Sequence, residues 1–361
     1  MDAMPRVSII ILNWNGWKDT VECLESVYQI TYPNYDVIVA DNGSENDSIE
    51  QIKEYAEGKL EITSKFFTSS MENKPLHYIE YSCKEAEAGG GREIEVVNLP
   101  SQQKLILIKN GKNYGFAEGN NIAIRYALKV LNPEYVLLLN NDTVVDRGFL
   151  NELIAVADSD EDIGCVGPKT YYYDYHGRTD VINFAGGKFA MWRGKSIHIG
   201  LKEVDQGQYD TVTDVGYVEG SCLLARRKAL EVVGLLDPAY YLYWEEADWC
   251  MRAKKAGFKL LYVPKGKIWH KISASSNSKK NPMIEYYFTR NRSWFIMHHG
   301  TILEKLGYVF YLFFCSAVVK TITLVLYYRD TNRCKYLLKG LRDGIRRRSS
   351  QIPPDHVTYA E

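Results

Sequence analysis

Four short aliphatic runs constrain this chain most: Val7-Ser-Ile-Ile-Ile-Leu12, Asp36-Val-Ile-Val-Ala40, Leu105-Ile-Leu-Ile108 and Tyr135-Val-Leu-Leu-Leu139. Each has the length of a β-strand. None alternates cleanly between apolar and polar residues, so each must be covered on both faces. The segments between them, 20–30, 48–56 and 117–130, carry apolar residues at helical spacing, as in Val21, Leu24, Val27 and Tyr28. Alternating strands and amphipathic helices predict βαβ units: an α/β fold with a mainly parallel sheet flanked by helices. With 361 residues, 46% of them hydrophobic, the chain can build one large core with an appendage.

Residues 58–104 break the rhythm. They hold Gly89-Gly-Gly91 and many charges, and they read as a surface-exposed, partly mobile insertion with a short strand near Ile94. Beyond 163 the pattern is mixed, with strands expected near Val166, Val218 and 260–263 and helices over 226–233 and 245–256. The expected organisation is a domain over 1–275, a helical connection over 276–305, and an apolar helix with a basic tail over 306–361.

Composition removes some functions. The 44 basic and 45 acidic residues leave a net charge of -1, so no field marks a nucleic-acid partner. Seven scattered cysteines form no C-x-x-C pair and read as reduced thiols of a cytosolic protein. The N-terminus runs into a strand at Val7 without the pattern of a secretory signal.

In a parallel α/β sheet, ligands bind beyond the carboxyl ends of the strands. Here all four runs lead into polar residues: Asn13-Trp-Asn15-Gly16, Asp41-Asn42-Gly-Ser44, Asn110 with Asn113-Tyr-Gly115-Phe-Ala-Glu-Gly119-Asn120-Asn121, and Asn140-Asn141-Asp142. Each cluster alone is ordinary turn chemistry; four on one edge define a polar site. The first turn is not G-x-G-x-x-G, which disfavours a dinucleotide dehydrogenase, and no G-x-x-x-x-G-K-S/T loop occurs. Asp142 stands where a carboxylate can hold Mg²⁺ or Mn²⁺ against a diphosphate, or can cap the next helix.

These pieces, with Glu219-Gly220, Gly234-Leu-Leu-Asp-Pro238, Glu245-Glu-Ala-Asp248, Arg252 and His270, run in one order over roughly residues 5 to 275. The sequence so resembles family 2 glycosyltransferases of the GT-A fold, particularly rhamnosyltransferase-like members. The resemblance implies a nucleoside-diphosphate sugar donor, a glycan or lipid-linked acceptor, and inverting transfer of a hexose or deoxyhexose. It implies nucleotide-sugar contacts at Asn13, Asn15, Asp41, Asn113, Gly115, Asn120, Asn140 and Asn141. It places the metal at Asp142 with His270, although Asn140 replaces the first acid of the family's D-x-D. Glu246 stands at the position of the general base, with Glu245 as the second candidate. Asp248 completes the acidic segment, and its i,i+4 spacing to Arg252 also reads as a structural pair. Gly186, Gly187, Trp192, Glu219 and Gly220 fall in the acceptor region.

The apolar stretch 308–328 reaches the ~20 residues that cross a bilayer, and Arg329, Arg333, Lys335, Lys339, Arg342 and Arg346-Arg-Arg348 follow it. An active site using nucleotide sugars and this basic tail belong on the same, cytoplasmic side. A helix lying in the interface at the inner face of the cell membrane, or a re-entrant hairpin, is therefore expected over a clean span; a buried core helix is the alternative. Two other functions fit less well. A nucleotidyltransferase making nucleotide sugars needs a basic glycine-rich loop after the first strand, and a non-catalytic membrane scaffold would not need the acids at 142, 245, 246 and 248.

Overall fold

The structure is a computed structural model that describes residues 4–96, 98–272, 282–327 and 329–346. Its first half follows the expected alternation: β1 (Val7–Asn13), α1 (Trp17–Val27), β2 (Tyr35–Asp41), α2 (Ser48–Ala56), β3 (His77–Ser82), α3 (Cys83–Ala88), β4 (Lys104–Lys109), α4 (Gly115–Tyr126) and β5 (Tyr135–Asn140). Next come β6 (Thr143–Val145), α5 (Phe149–Ala157), β7 (Ile163–Tyr172), β8 (Ile182–Phe184), β9 (Gly187–Ala190), β10 (Lys195–His198), β11 (Thr213–Asp214) and β12 (Cys222–Arg226). The order closes with α6 (Arg227–Val233), α7 (Glu245–Lys255), β13 (Lys259–His270), α8 (Pro282–His299), α9 (Ile302–Tyr311), α10 (Ala317–Ile322) and α11 (Thr331–Ile345).

The main sheet runs β11-β13-β7-β12-β5-β1-β2-β4-β3. Strands β5, β1, β2, β4 and β3 are parallel; β12 enters antiparallel between β5 and β7. Successive residues of β1 feed opposite cores: Ile10 packs with Ile38, Ile106 and Ile122, whereas Ile9 and Ile11 pack with Leu24, Val37 and Leu137. That explains why the strand shows no alternation.

Two sequence expectations are corrected. The insertion supplies β3, an edge strand parallel to β4, and the residues near Ile94 form a 3₁₀ turn, Glu93–Glu95, instead of a strand. The insertion is also pinned: Lys74 is buried between Glu25 and the face of Tyr55. The strand expected near Val218 lies at β12, and Val218 itself is buried in the connection before it.

The C-terminal helices have a core of their own, in which Phe295, Tyr308, Leu324, Leu337 and Leu341 surround Trp244 and Met191. The expected apolar stretch is helical over 302–327 but passes through two π-type segments, and among the described residues no helix is long and apolar enough to cross a membrane. Of the basic tail, Arg347 and Arg348 lie outside the described residues. Cys23, Cys83, Cys165, Cys222, Cys250 and Cys334 are free thiols, and all of these but Cys83 are buried.

Candidate active site

The polar edge is held together from within. Asn13 donates to Asp41 (2.7 Å) and accepts from the Thr20 hydroxyl (2.9 Å), and Asn141 donates to the same hydroxyl (3.0 Å). This relay ties the ends of β2, β1 and β5. Asp41 also accepts from the Ser44 backbone (3.0 Å) and hydroxyl (2.6 Å). Asn13 and Asp41 are thus buried and internally bonded, and they fix the loop that Asn15 enters in a left-handed conformation. Asn15 in turn accepts from the Glu45 backbone (2.8 Å).

A second net shapes the loop between β4 and α4. Asn42 donates to Asn113 (3.0 Å), accepts from Asn110 (3.2 Å) and so closes β2 onto this loop. Asn113 also accepts from the Gly115 backbone (2.8 Å) and the Tyr241 hydroxyl (3.3 Å), and Asn120 donates to the Phe116 carbonyl (2.9 Å). Gly115 has φ +78, and a Cβ there would lie 2.5 Å from the Tyr241 carbonyl oxygen. Gly115→Ala is therefore expected to cost at least about 2 kcal/mol, read by denaturant unfolding, from left-handed strain and the clash together.

Tyr241 was not singled out by the sequence. Tyr241, Tyr243 and Trp244 all have positive φ (65, 69 and 74). Strained non-glycine backbone persists only where surrounding contacts over-determine it. Here Tyr241 stacks on Tyr287 (4.8 Å), and Asn291 donates to the carbonyls of Tyr240, Leu242 and Tyr243, each at 2.8 Å. This segment delivers the N-terminus of α7 and its acids to the sheet edge.

The three acids of α7 meet different surroundings. Glu245 is buried with one carboxylate oxygen unpartnered; burial first, then the charges of Glu246 and Asp248, hold its pKa well above the usual range. Glu246 is half-buried against Gly220, whose added Cβ would lie 3.5 Å from its Cγ. Burial, aided by the charge of Glu219 and opposed by backbone N–H groups at the helix start, raises Glu246 to about 7. Asp248 is engaged on every side: it accepts from His299 (2.7 Å), Arg252 (2.7 Å) and the Tyr240 hydroxyl (3.2 Å). Burial works against its charge, but these partners outweigh burial and hold the carboxyl below its usual range. A carboxylate engaged in this way fits the structural pairing that its i,i+4 spacing to Arg252 suggests.

Beyond β5, Asp142 pairs with His270 at the end of β13 (3.0 Å). Burial disfavours the imidazolium, yet the Asp142 carboxylate overrides it and, with Glu219, lifts His270 to about 9. The other ring nitrogen of His270, Nδ1, is buried without a partner. Lys271, next in sequence, bonds Asp19 (2.6 Å) and Glu22 (2.5 Å) and donates its backbone N–H to the Asp142 carbonyl (2.9 Å), a framework the sequence reading missed. Glu219 accepts from Ser221 (3.0 Å) and Asn183 (3.3 Å), and the Ser221 carbonyl takes the Asn140 backbone N–H (2.9 Å). Among the described residues no three His, Cys, Asp or Glu side chains gather as a complete metal site.

The proposed acceptor residues divide. Glu219 and Gly220 stand with Glu246. Gly186 (φ +102) and Gly187 let the β8–β9 connection pass close over Val215 and the Tyr217 ring. Trp192 lies further out, half exposed on the turn of the β9–β10 hairpin, edge-on to Tyr311 (6.0 Å).

A mixed sheet with a parallel half, polar loops across its carboxyl edge and an Asp–His pair joining the ends of β5 and β13 define a GT-A-like fold. A model described as "Glycosyltransferase like family 2" matches residues 92–295, more than half of the chain, and one described as "Glycosyl transferase family 2" matches residues 8–70. The chain belongs to this glycosyltransferase family. Relatives include a low-salt glycan biosynthesis hexosyltransferase of Haloferax volcanii, 27% identical over 44% of this chain and 50% of that protein. A dTDP-rhamnosyl transferase of Shigella flexneri is 24% identical over 69% of this chain and 81% of its own. The match thus spans half the length of the Haloferax relative. Among solved structures, a mannosyltransferase from Pyrobaculum calidifontis, in complex with GDP-Man and Mn²⁺, shares the fold with a TM-score of 0.54 at 15% identity, over 95% of this chain and 88% of that one.

Proposed function

We propose that this protein transfers a hexose or deoxyhexose from a nucleoside-diphosphate sugar to a hydroxyl of a glycan or lipid-linked acceptor, with inversion. The observation that carries this reading is Glu246, a carboxylate raised to about 7, seated on Gly220 beside Glu219. Such a group takes a hydroxyl proton near neutral pH better than an ordinary carboxylate. The acceptor oxygen gives its proton to Glu246 and bonds to the anomeric carbon; the bond from that carbon to the diphosphate oxygen breaks, and the nucleoside diphosphate leaves with the electron pair. The loops fixed by Asn13, Asp41, Asn42 and Asn113 orient the nucleotide, so the reacting atoms meet without further ordering.

Asp142 and His270, paired through Nε2, bring an oxygen and a nitrogen donor together, and a cation bound between them would displace the ring proton that joins them. Two protein donors suit Mg²⁺ or Mn²⁺ when diphosphate oxygens and water complete the shell. Bound there, the cation would offset charge on the departing diphosphate. Asp142→Asn is expected to weaken cation-dependent donor binding at least about tenfold, measured by calorimetry across a panel of nucleotide sugars with and without Mn²⁺. Equal donor affinity with and without the cation would remove Asp142 from this role. The chemistry itself is tested by following release of nucleoside diphosphate together with a glycosylated product whose anomeric configuration is inverted. We place this site on the cytoplasmic side, at the inner face of the cell membrane, because a nucleotide-sugar donor and the basic segment that follows residue 328 belong on that side.

A further inference from the structure

Helix α9 and its continuation to residue 314 are apolar on two opposite faces. Tyr308 and Leu312 are fully buried against the domain. On the other side Ile302, Leu303, Leu306, Phe310, Phe313 and Phe314 are each more than half exposed. At 100° per residue these six fall within about one third of the helix circumference. Glu304 and Lys305 are the only charged residues of α9, so its second apolar face is left on the surface without a cover from the described residues. Large contiguous apolar patches mark interaction sites.

Two neighbouring features say what the partner is. Over 301–346 there are eight basic and three acidic residues, a local net charge of +5 in a chain whose total is -1. Among them Arg329, Lys335, Arg342 and Arg346 are exposed. Beside the stripe, the β9–β10 turn packs on α9: a Cβ at Gly307 would lie 3.2 Å from that of Trp192, and Arg193 lies over the rings of both Trp192 and Tyr311. Beneath that turn, Arg292 is buried with its Nε unpartnered, and among the described residues no carboxylate pairs with it. An apolar stripe flanked by an exposed Trp and surplus cations is the chemistry of an anionic lipid interface, where rings sit at headgroup depth and cations meet phosphate.

We infer that the stripe from Ile302 to Phe314, with Trp192 and Arg193, seats this protein in the plane of an anionic phospholipid bilayer. The helix lies on the membrane instead of crossing it. Seating brings the hairpin and the C-terminal core that contains Trp244, two residues before Glu246, to the lipid surface. A lipid-linked acceptor would then reach the base without leaving the bilayer; only this last consequence rests on the proposed transfer.

The test is sedimentation of the full chain with vesicles of phosphatidylcholine alone or mixed with phosphatidylglycerol. Wild type is expected to bind the anionic vesicles, less so as salt rises. Leu306→Glu with Phe310→Glu is expected to lower the bound fraction at least about tenfold, with an unchanged melting temperature because both side chains are exposed. Lys335→Glu with Arg346→Glu provides a second variant that leaves the stripe intact and is expected to abolish the preference for phosphatidylglycerol. Wild type that ignores the anionic vesicles, or variants that bind them as wild type does, would overturn the inference. So would a wild-type dimer that the Leu306/Phe310 variant dissociates, since the stripe would then be covered by a second copy. Vesicle binding without any sugar transfer would refute the transfer reading and leave this one standing.

Discussion

Glu246→Gln is expected to lower turnover by about 10²- to 10⁴-fold, the range lost when a positioned general base is removed, while nucleotide-sugar affinity stays near that of wild type. Glutamine keeps the shape that packs on Gly220 and cannot accept the acceptor's proton. In wild type, turnover should rise with pH through about 7, because burial and Glu219 hold the carboxylate protonated below that point. The variant should lose this limb. Stability should move the other way. A carboxyl whose folded-state pKa lies above its unfolded value of about 4.3 stabilises the fold below that value, and the contribution is lost as pH rises through about 7. Glu246→Gln removes this penalty, so its melting temperature should exceed that of wild type at pH 8 and not at pH 5. A less active but more stable variant is the signature of strain kept for function; a less active and less stable one would mean that Glu246 is structural. Glu245 is buried more deeply than Glu246, and burial likewise holds its carboxyl well above the usual range, so it is the less accessible base.

The parts of this molecule that were legible in the sequence are those with local causes. The strands β1, β2, β4 and β5 are continuous apolar runs, and burial on both faces leaves a sequence little choice. Strand β3 was hidden because His77, Glu80 and Ser82 give an edge strand the polarity of a loop; only its pairing with β4 makes it a strand. The full length of β13 was hidden by Pro264 and Gly266, which normally end a strand. A register shift between Val263 and Lys267 absorbs both and lets the strand carry His270 to Asp142. The positions of Asp142, Glu246 and His270 were legible as motif members, but the relay through Thr20 and the positive φ of Tyr241, Tyr243 and Trp244 were not. Positive φ in a bulky residue is imposed by distant contacts, here Tyr287 and Asn291, and no local sequence signal encodes it.

Distant contacts also converge on Asp248, a structural carboxylate of the site. It lies one helical turn inside α7, reaching back to Tyr240, along the helix to Arg252 and across to His299 at the end of α8. Arg252 also donates to the carbonyls of Val233 (2.7 Å) and Leu235 (2.8 Å), so one carboxylate binds together α6, the loop before α7 and the C-terminal helices. Removing one partner of a buried charged network leaves the others unpaired and costs about 3–5 kcal/mol. Asp248→Ala should therefore lower the melting temperature by roughly 6–10 °C, taking about 2 °C per kcal/mol for a chain of this size. Asp248→Asn, which keeps the oxygen that accepts from Arg252 or His299, should lose less. The carboxyl is held below its ordinary pKa, so its contribution is present above the usual carboxylate range and is lost as pH falls through the lowered value; the gap between wild type and Asp248→Ala should narrow in acid. Loss of Asp248 should also lower turnover at pH 7, because Glu246 depends on where α7 begins, and the pH at which its remaining turnover rises should shift, since the first turn of the helix no longer fixes the surroundings of the base. A destabilised variant with an unchanged pH profile would show that Asp248 holds the helices together without positioning Glu246.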